Sequence, residues 1–355
     1  MCKSVLLYAT YLLIALLAMI AYFHIQCQKE KQEGAPQEKF KEFNPEETDV
    51  KDYNLGFCKI GETLNTDIGI EYILVQSAPC AVMRMLEFFS IIRNLQKSSA
   101  ENHTVTFNDA RKNNPGSFHE TGFTLIELEE EPITTDWRSP SAMYEDADVV
   151  NFQKQMEPHI LKLYPHTKRM TWTYNVVRGG DRLLDQPKAV DGPHLDYHQN
   201  DSARLEFHER FPLGMTWQNK YSEPRILMGL ENGADDKLGV LLGVWKPIRP
   251  NVTVCDNPLA IMDARTFDNE HLSFMELHID FGPLGTFHNL NGAIAFDPRQ
   301  RWYYYPFQTT REVLIFHQYS TGKFFANPHT SFNNANCPAD TESRISVEMR
   351  LALFF

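Results

Sequence analysis

No lysine- or arginine-rich block occurs in this chain of 355 residues, whose formal charge is −12. A nucleic-acid partner needs a basic face, so that class is set aside. There is no C-x-x-C pair either, and the six cysteines are scattered at positions 2, 27, 58, 80, 255 and 337. Such spacing argues against a disulfide framework and against a structural zinc site. No glycine-rich loop follows a strand-like run, which leaves a nucleotide-like cofactor without a seat and weakens a methyltransferase reading. Internal repeats are also absent. What the chain does have is 43% hydrophobic and 12% aromatic content, enough for a sizeable core. The length permits two domains, or one β-rich domain.

Val5 to Phe23 is an uncharged apolar run bounded by Lys3 and by His24–Lys31. A helix of that length crosses about 30 Å of hydrocarbon. The competing reading is a cleaved signal peptide, for which Ala18-Met-Ile-Ala21 is a poor cleavage site. An uncleaved single-pass anchor over 1–25, placed in the endoplasmic reticulum, is the expectation. Cys2 and Cys27 flank it as candidate palmitoylation sites. Lys29, Lys31, Lys39 and Lys41 after the run lean toward a cytosolic catalytic part. Sequons at Asn102, Asn200 and Asn251 lean toward the lumen. Residues 26–54 are rich in Glu, Lys and Gln and read as a solvated tether to a domain spanning 55–355.

The domain reads as mainly β with a few helices. Early strands are expected at Ile70–Val75, Thr104–Phe107 and Phe123–Leu128, and helices at Ala81–Gln96 and Asp146–Leu163. Met170, Trp172, Tyr174 and Val176 alternate, so Arg169–Val177 buries one strand face. Later strands are expected at Leu238–Trp245, Leu259–Asp263, Phe274–Phe281, Ala293–Phe296, Trp302–Tyr305, Val313–Tyr319 and Arg344–Phe355. Many short strands after such a start fit a double-stranded β-helix, or jelly roll, buttressed by helices.

Within it, His194-Leu-Asp196, His329 and Arg344-Ile-Ser346 stand out. Residues two apart on a strand point the same way, so His194 and Asp196 reach one point. Two imidazoles and one carboxylate suit ferrous iron and leave half its coordination sphere open. Arg344 and Ser346, also two apart, could together hold a carboxylate. The triplet alone is weak, because His278-Ile-Asp280 fits it as well. Gly192-Pro193 places His194 at a turn-to-strand junction, which favours it. His198, Trp245, Tyr304 and His317 are candidate contacts to substrate or to the ligating groups. For each, an ordinary core or pocket-wall role is the blander alternative. The same holds for Arg350 and Glu348, which can simply pair on an amphipathic strand.

Longer stretches carry a resemblance. They are Asn108-Asp-Ala-Arg111 with Gly122-Phe123, Gly192-Pro-His-Leu-Asp196, Val244-Trp-Lys-Pro247, Pro258-Leu-Ala260, Asp263-Ala-Arg265, Arg301-Trp-Tyr-Tyr304, Glu312-Val-Leu-Ile315, Pro328-His-Thr-Ser-Phe332 and Arg344-Ile-Ser-Val-Glu-Met-Arg350. From about Thr104 onward the chain resembles a mainly fungal hydroxylase/desaturase family. That family includes gibberellin-desaturase-like and aspirochlorine-pathway-type proteins and relatives of a cephalosporin 7α-methoxylation component. The resemblance implies a non-haem Fe(II), 2-oxoglutarate-dependent dioxygenase using O2. It implies His194, Asp196 and His329 as metal ligands and Arg344, with Ser346, as the co-substrate anchor. It aligns the family's H-x-D with His194/Asp196 and not with His278. The expected substrate is a small, apolar metabolite to be hydroxylated or desaturated. Rival classes are an inactive jelly-roll binding protein and a methyltransferase-associated tailoring protein. Two departures stand out: His317 replaces a usual Lys or Arg, and Gly243 a usual Asn.

Overall fold

The computed structural model describes residues 49–57, 64–68, 101–129, 147–179, 189–199, 238–280, 286–321, 325–338 and 340–355. The expected anchor, most of the tether, the strand at Ile70–Val75, the helix at Ala81–Gln96 and the Asn200 sequon lie outside them. No helix among the described residues is long and apolar enough to cross a membrane.

In chain order the strands are β1 (Val50–Phe57), β2 (Leu64–Ile68), β3 (Glu101–Asp109), β4 (Phe123–Glu127), β5 (Arg169–Gly179), β6 (His194–Leu195) and β7 (Leu238–Pro247). They continue as β8 (Leu259–Met262), β9 (Leu272–Asp280), β10 (Thr286–Ile294), β11 (Trp302–Tyr304), β12 (Glu312–Ser320), β13 (His329–Ser331) and β14 (Ile345–Phe354). Among the described residues, two helices, α1 (Phe118–Thr121) and α2 (Ala147–Leu163), complete the regular elements apart from two short 3-10 turns. Pairing gives a nine-stranded sheet, β1-β3-β11-β8-β13-β6-β10-β9-β2, and a five-stranded sheet, β4-β12-β7-β14-β5. The sheet starts at Val50, inside the expected tether, and β10 begins seven residues earlier than the Ala293–Phe296 expectation (293 − 286 = 7). Polar residues such as Thr286, His288, Asn289 and Asn291 hide that strand from a hydrophobicity pattern.

Alternation divides the side chains of the smaller sheet into two layers. Val347, Met349, Leu351 and Leu353 of β14 join Val240, Leu242 and Val244 of β7 and Val313 and Ile315 of β12 on the outer face. Helix α2 covers that face with Val149, Phe152, Met156 and Ile160, all fully buried and spaced three or four apart on one stripe. The expected helical buttress is therefore present over one sheet. Burying a side chain of this size contributes about 1.5–3 kcal/mol.

Between the sheets lies a second cluster, in which Phe123, Trp245, Leu314 and Phe316 meet Leu259 and Ile261 of the larger sheet. The larger sheet's other face carries Phe107, Leu195, Ala260, Met262, Ile294, Trp302, Tyr304 and Phe332. Consecutive residues of β8 thus face opposite layers, as pleating requires.

A short connection ties these layers together at Gly122. Its φ of 86° is left-handed, and it caps α1 with its N–H on the Phe118 carbonyl. The Asn327 carboxamide fills the space beside it, donating to the Thr121 carbonyl at 2.7 Å and the Met262 carbonyl at 2.8 Å while accepting from the His317 amide at 3.1 Å. A Cβ at Gly122 would overlap that carboxamide. Gly122→Ala is expected to lower stability by about 1–2 kcal/mol from backbone conformation alone, and further from the overlap. An unchanged denaturant midpoint would refute this account of the junction.

Among the described residues the cysteines form a bonded pair that their spacing did not announce. Cys255, after β7, and Cys337, after β13, form a disulfide with Cα atoms 5.5 Å apart across a sequence separation of 82. The sheet pairing of β8 with β13 brings these distant segments side by side.

Candidate metal and co-substrate site

His194 opens β6, and His329 opens β13; the two residues sit directly opposite each other in the sheet. His329 also pairs with Ile261, whose side chain faces the inter-sheet cluster, so both imidazoles project into that space. Asp196 follows His194 by two residues on the same side. Ligand atoms of His194, Asp196 and His329 all lie within 4.8 Å of one another. The imidazole centroids are 4.4 Å apart, and the Phe316 ring stands 4.9 Å from that of His329.

Backbone carbonyls fix which nitrogens face inward. His194 Nδ1 lies 2.7 Å from the Gly192 carbonyl, and His329 Nδ1 lies 3.2 Å from the Asn327 carbonyl. Each contact requires an N–H on Nδ1, which leaves the Nε2 lone pairs toward the common point. His194 Nε2 is 3.6 Å from Asp196 Oδ1, and His329 Nε2 is 3.5 Å from Oδ2. Oδ2 is further occupied by Gln318 Nε2 at 2.7 Å and by the Arg350 guanidinium. Oδ1 faces His194 Nε2, and the carboxylate presents that oxygen for one-oxygen coordination. This donor set, two imidazoles and a carboxylate with second partners already in place, fits ferrous iron.

The electrostatics agree with that arrangement. Burial pulls His194 down to about 4, helped by neighbouring His329. Burial pushes Asp196 up, but the Arg350 charge and the hydrogen bond with His329 outweigh it and hold the carboxyl well below its ordinary range. His329 is raised because its bond to Asp196 outweighs the effect of burial. A protonated His329 Nε2 cannot ligate, so metal affinity is expected to rise with pH as that imidazole loses its proton.

Arg344 is buried just ahead of β14. Its amide donates to Asp256 Oδ1 at 2.8 Å, its guanidinium bonds the Asn257 carbonyl, and the same guanidinium lies 5.4 Å over the Trp245 ring. Trp245 belongs to the inter-sheet cluster, so Arg344 is directed into the space that also receives the histidines. Ser346, two residues on, is likewise buried, with Oγ 3.5 Å from the Arg178 carbonyl. Ser331 Oγ, two residues past His329, is buried without a hydrogen-bond partner.

The remaining candidates are placed differently. His198 stacks on Phe274 at 4.3 Å and stands outside the three-residue cluster, because β6 lasts only two residues and the chain then turns. Tyr304 packs against Phe332 on the far face of the larger sheet; Tyr303 and Tyr305 are the aromatics beside the Trp245 cluster. His317 points oppositely to Phe316, stacking on Phe118 and bonding the Tyr164 hydroxyl and the Gly122 carbonyl. Burial pulls it down to about 3, so it is a neutral core histidine. The side chain of the decoy His278 lies outside the described ones. Gly243, opposite Phe316 on β7, has a reason to lack a side chain: a Cβ there would sit 2.5 Å from the Phe316 ring. Phe316 can thus lie across the strand and abut His329. The sequence did not point to Arg350 and Gln318 as partners of Asp196, since both come from strands remote in sequence.

Fold and site together define a class: a mainly β, jelly-roll-like oxidoreductase with a His/Asp/His cluster between its sheets. The chain belongs to the family described as Oxidoreductase/YMDC permease-like domain, which matches residues 90–354. It is 28% identical over 165 residues to aspirochlorine biosynthesis protein N of Aspergillus oryzae, covering 44% of this chain and 67% of that one. It is 31% identical over 121 residues to the α-ketoglutarate-dependent dioxygenase tstK of Talaromyces stipitatus, covering 32% of this chain and 40% of that one. Among solved structures, the iron and α-ketoglutarate-dependent endoperoxidase NvfI superposes with a TM-score of 0.56 at 17% identity, over 86% of this chain and 98% of that one. That likeness is one of fold.

Proposed function

We propose that the protein is an Fe(II)- and 2-oxoglutarate-dependent oxygenase that hydroxylates or desaturates a small, apolar metabolite. The observation that carries this reading is the convergence of His194 Nε2, Asp196 Oδ1 and His329 Nε2 in the inter-sheet space that Arg344 also enters. Iron, 2-oxoglutarate and O2, when bound, supply oxidation of a substrate C–H bond with succinate and CO2 as by-products. His194, Asp196 and His329 hold the metal. Arg344 and Ser346 hold the distal carboxylate of 2-oxoglutarate, a charge-assisted contact suited to a planar guanidinium. Trp245 braces the guanidinium from one side. Phe316, Leu314 and Ile261 keep water from the surroundings of the histidines, which protects a reactive centre from side reactions. The apolar wall that Trp245, Leu314 and Phe316 form among the described residues favours an apolar substrate. Residues 1–25 serve as a membrane anchor and 26–49 as its tether, which would bring the domain to membrane-partitioned substrates.

Anaerobic reconstitution with Fe(II) tests the reading. Adding 2-oxoglutarate is expected to produce the visible charge-transfer band of a chelated 2-oxo acid. Arg344→Ala is expected to raise the 2-oxoglutarate concentration needed for half the band by about 10- to 100-fold, the worth of a charged hydrogen-bonded pair. Iron bound without any band would reject 2-oxoglutarate as co-substrate.

A further inference from the structure

We propose that the oxygenase domain matures in an oxidising, glycosylating lumen and carries an N-linked glycan on Asn251. This inference is independent of the assignment of the reaction. Two observations lead to it, and they lie four residues apart in the β7–β8 connection.

The first is the disulfide. Cys255 and Cys337 are both buried and bonded to each other. Around them, Asn334 Nδ2 donates to the Cys255 carbonyl at 3.2 Å, and the Cys337 amide donates to the Asn334 carbonyl at 3.0 Å. The next residue, Asp256, accepts from Ser343 Oγ at 2.7 Å and from the Arg344 amide at 2.8 Å. A covalent link there fixes the segment that seats Arg344. Forming it requires two thiols to lose two protons and two electrons to a disulfide-donating oxidoreductase. Such bonds persist in the secretory lumen and are rare in a reducing cytosol.

The second is the sequon Asn251-Val252-Thr253. Asn251 is exposed at a turn with φ of 59°, a conformation asparagine tolerates, and Thr253 is exposed too. Neither is engaged in the sheet pairing that begins at Val254. A glycan there projects from an exposed turn. In the transfer, the Asn251 amide nitrogen forms a bond to the anomeric carbon of a lipid-diphosphate-linked oligosaccharide. The bond from that carbon to the diphosphate breaks, and the lipid diphosphate leaves as the amide gives up a proton. Asn102 and Thr104 are also exposed, but they lie within a regular strand, paired with Gly56 and Asn54 of β1. Asn251 is therefore the favoured acceptor.

The lysines after the apolar run lean the other way. That bias is a statistical preference of flanking segments, whereas a buried disulfide is a chemical requirement for an oxidant. The bond and the accessible sequon outweigh it.

The test uses the full chain expressed in a eukaryotic host. Peptide-N-glycosidase treatment is expected to increase the gel mobility of the wild type. Thr253→Ala is expected to lose one glycan's worth of that shift, and Thr253→Ser to retain it. Because Thr253 is an exposed turn residue, neither change threatens folding. In parallel, Cys255 and Cys337 are expected to resist a maleimide–polyethylene glycol reagent under denaturing conditions until a reductant is added. A wild-type shift that survives intact in Thr253→Ala overturns Asn251 as the acceptor. No shift in the wild type, or both thiols labelled without reductant, overturns the lumenal placement.

Discussion

Asp196→Ala is expected to bring succinate formation down to the enzyme-free background while leaving the domain folded. The reason lies in how the carboxylate is shared. Oδ1 faces the Nε2 atoms, and Oδ2 takes the Arg350 guanidinium and Gln318 Nε2 at 2.7 Å. Removing the whole group takes away the only anionic ligand of the proposed site. Two neutral imidazoles alone hold Fe(II) poorly and do not define the open face that a co-substrate needs. The fold is spared because Arg350 keeps a second carboxylate: its Nη1 donates to Glu348 Oε1 at 2.6 Å. Gln318 likewise keeps Glu348 within 3.4 Å. No buried cation is stranded, so the large penalty for an unpaired buried charge does not arise. The variant should therefore show the wild-type circular dichroism spectrum and a thermal midpoint close to that of the metal-free wild type. Iron content after anaerobic loading and succinate release are the two measurements. Turnover comparable to wild type would remove Asp196 from the metal site, and with it the oxygenase reading.

Much of this site could be read from the sequence because its core obeys a local rule. His194 and Asp196 share a face through simple strand alternation, and so do Arg344 and Ser346. The helix at Ala147–Leu163 and the long strands β5, β7, β12 and β14 announced themselves through apolar periodicity. Where the rule became non-local, reading stopped. Tyr304 and Tyr303 differ only in phase within a strand of three residues, and no pattern that short says which face is inward. His317 is a candidate contact to substrate or ligating groups by sequence, yet Phe316 takes the inward position, made possible by the missing side chain at Gly243. The Cys255–Cys337 pair depends on β8 lying beside β13, which no spacing encodes. Arg350 and Glu348 were legible as a pair on β14, but not the reach of Arg350 to Asp196, a residue 154 positions away.

That reach makes Arg350 the more consequential residue for stability, and the asymmetry with Asp196 can be measured. Arg350→Met keeps a flexible unbranched stem but removes the cation that two carboxylates share. Asp196, Glu348 and Arg350 have side chains only 20%, 11% and 4% exposed. Without the guanidinium, two acidic groups face each other in that confined space, with Gln318 Nε2 between them. Breaking a buried pair from one side costs about 3–5 kcal/mol. The metal-free variant should therefore unfold at a markedly lower denaturant concentration than Asp196→Ala, although it retains all three proposed ligands. Iron should recover part of the loss, because the metal offers Asp196 a new cation and binds only the folded state. Its affinity should nevertheless fall by about 10- to 100-fold, the usual effect of removing a group that orients a ligand. Arg350→Lys should fall between the two, since one ammonium cannot present the planar fork that bridges Asp196 and Glu348. Chemical denaturation with and without Fe(II), together with an anaerobic iron titration, reads all three variants on one scale. If Arg350→Met matched the wild type in both, the guanidinium would be a bystander, and Gln318 would have to orient Asp196 by itself.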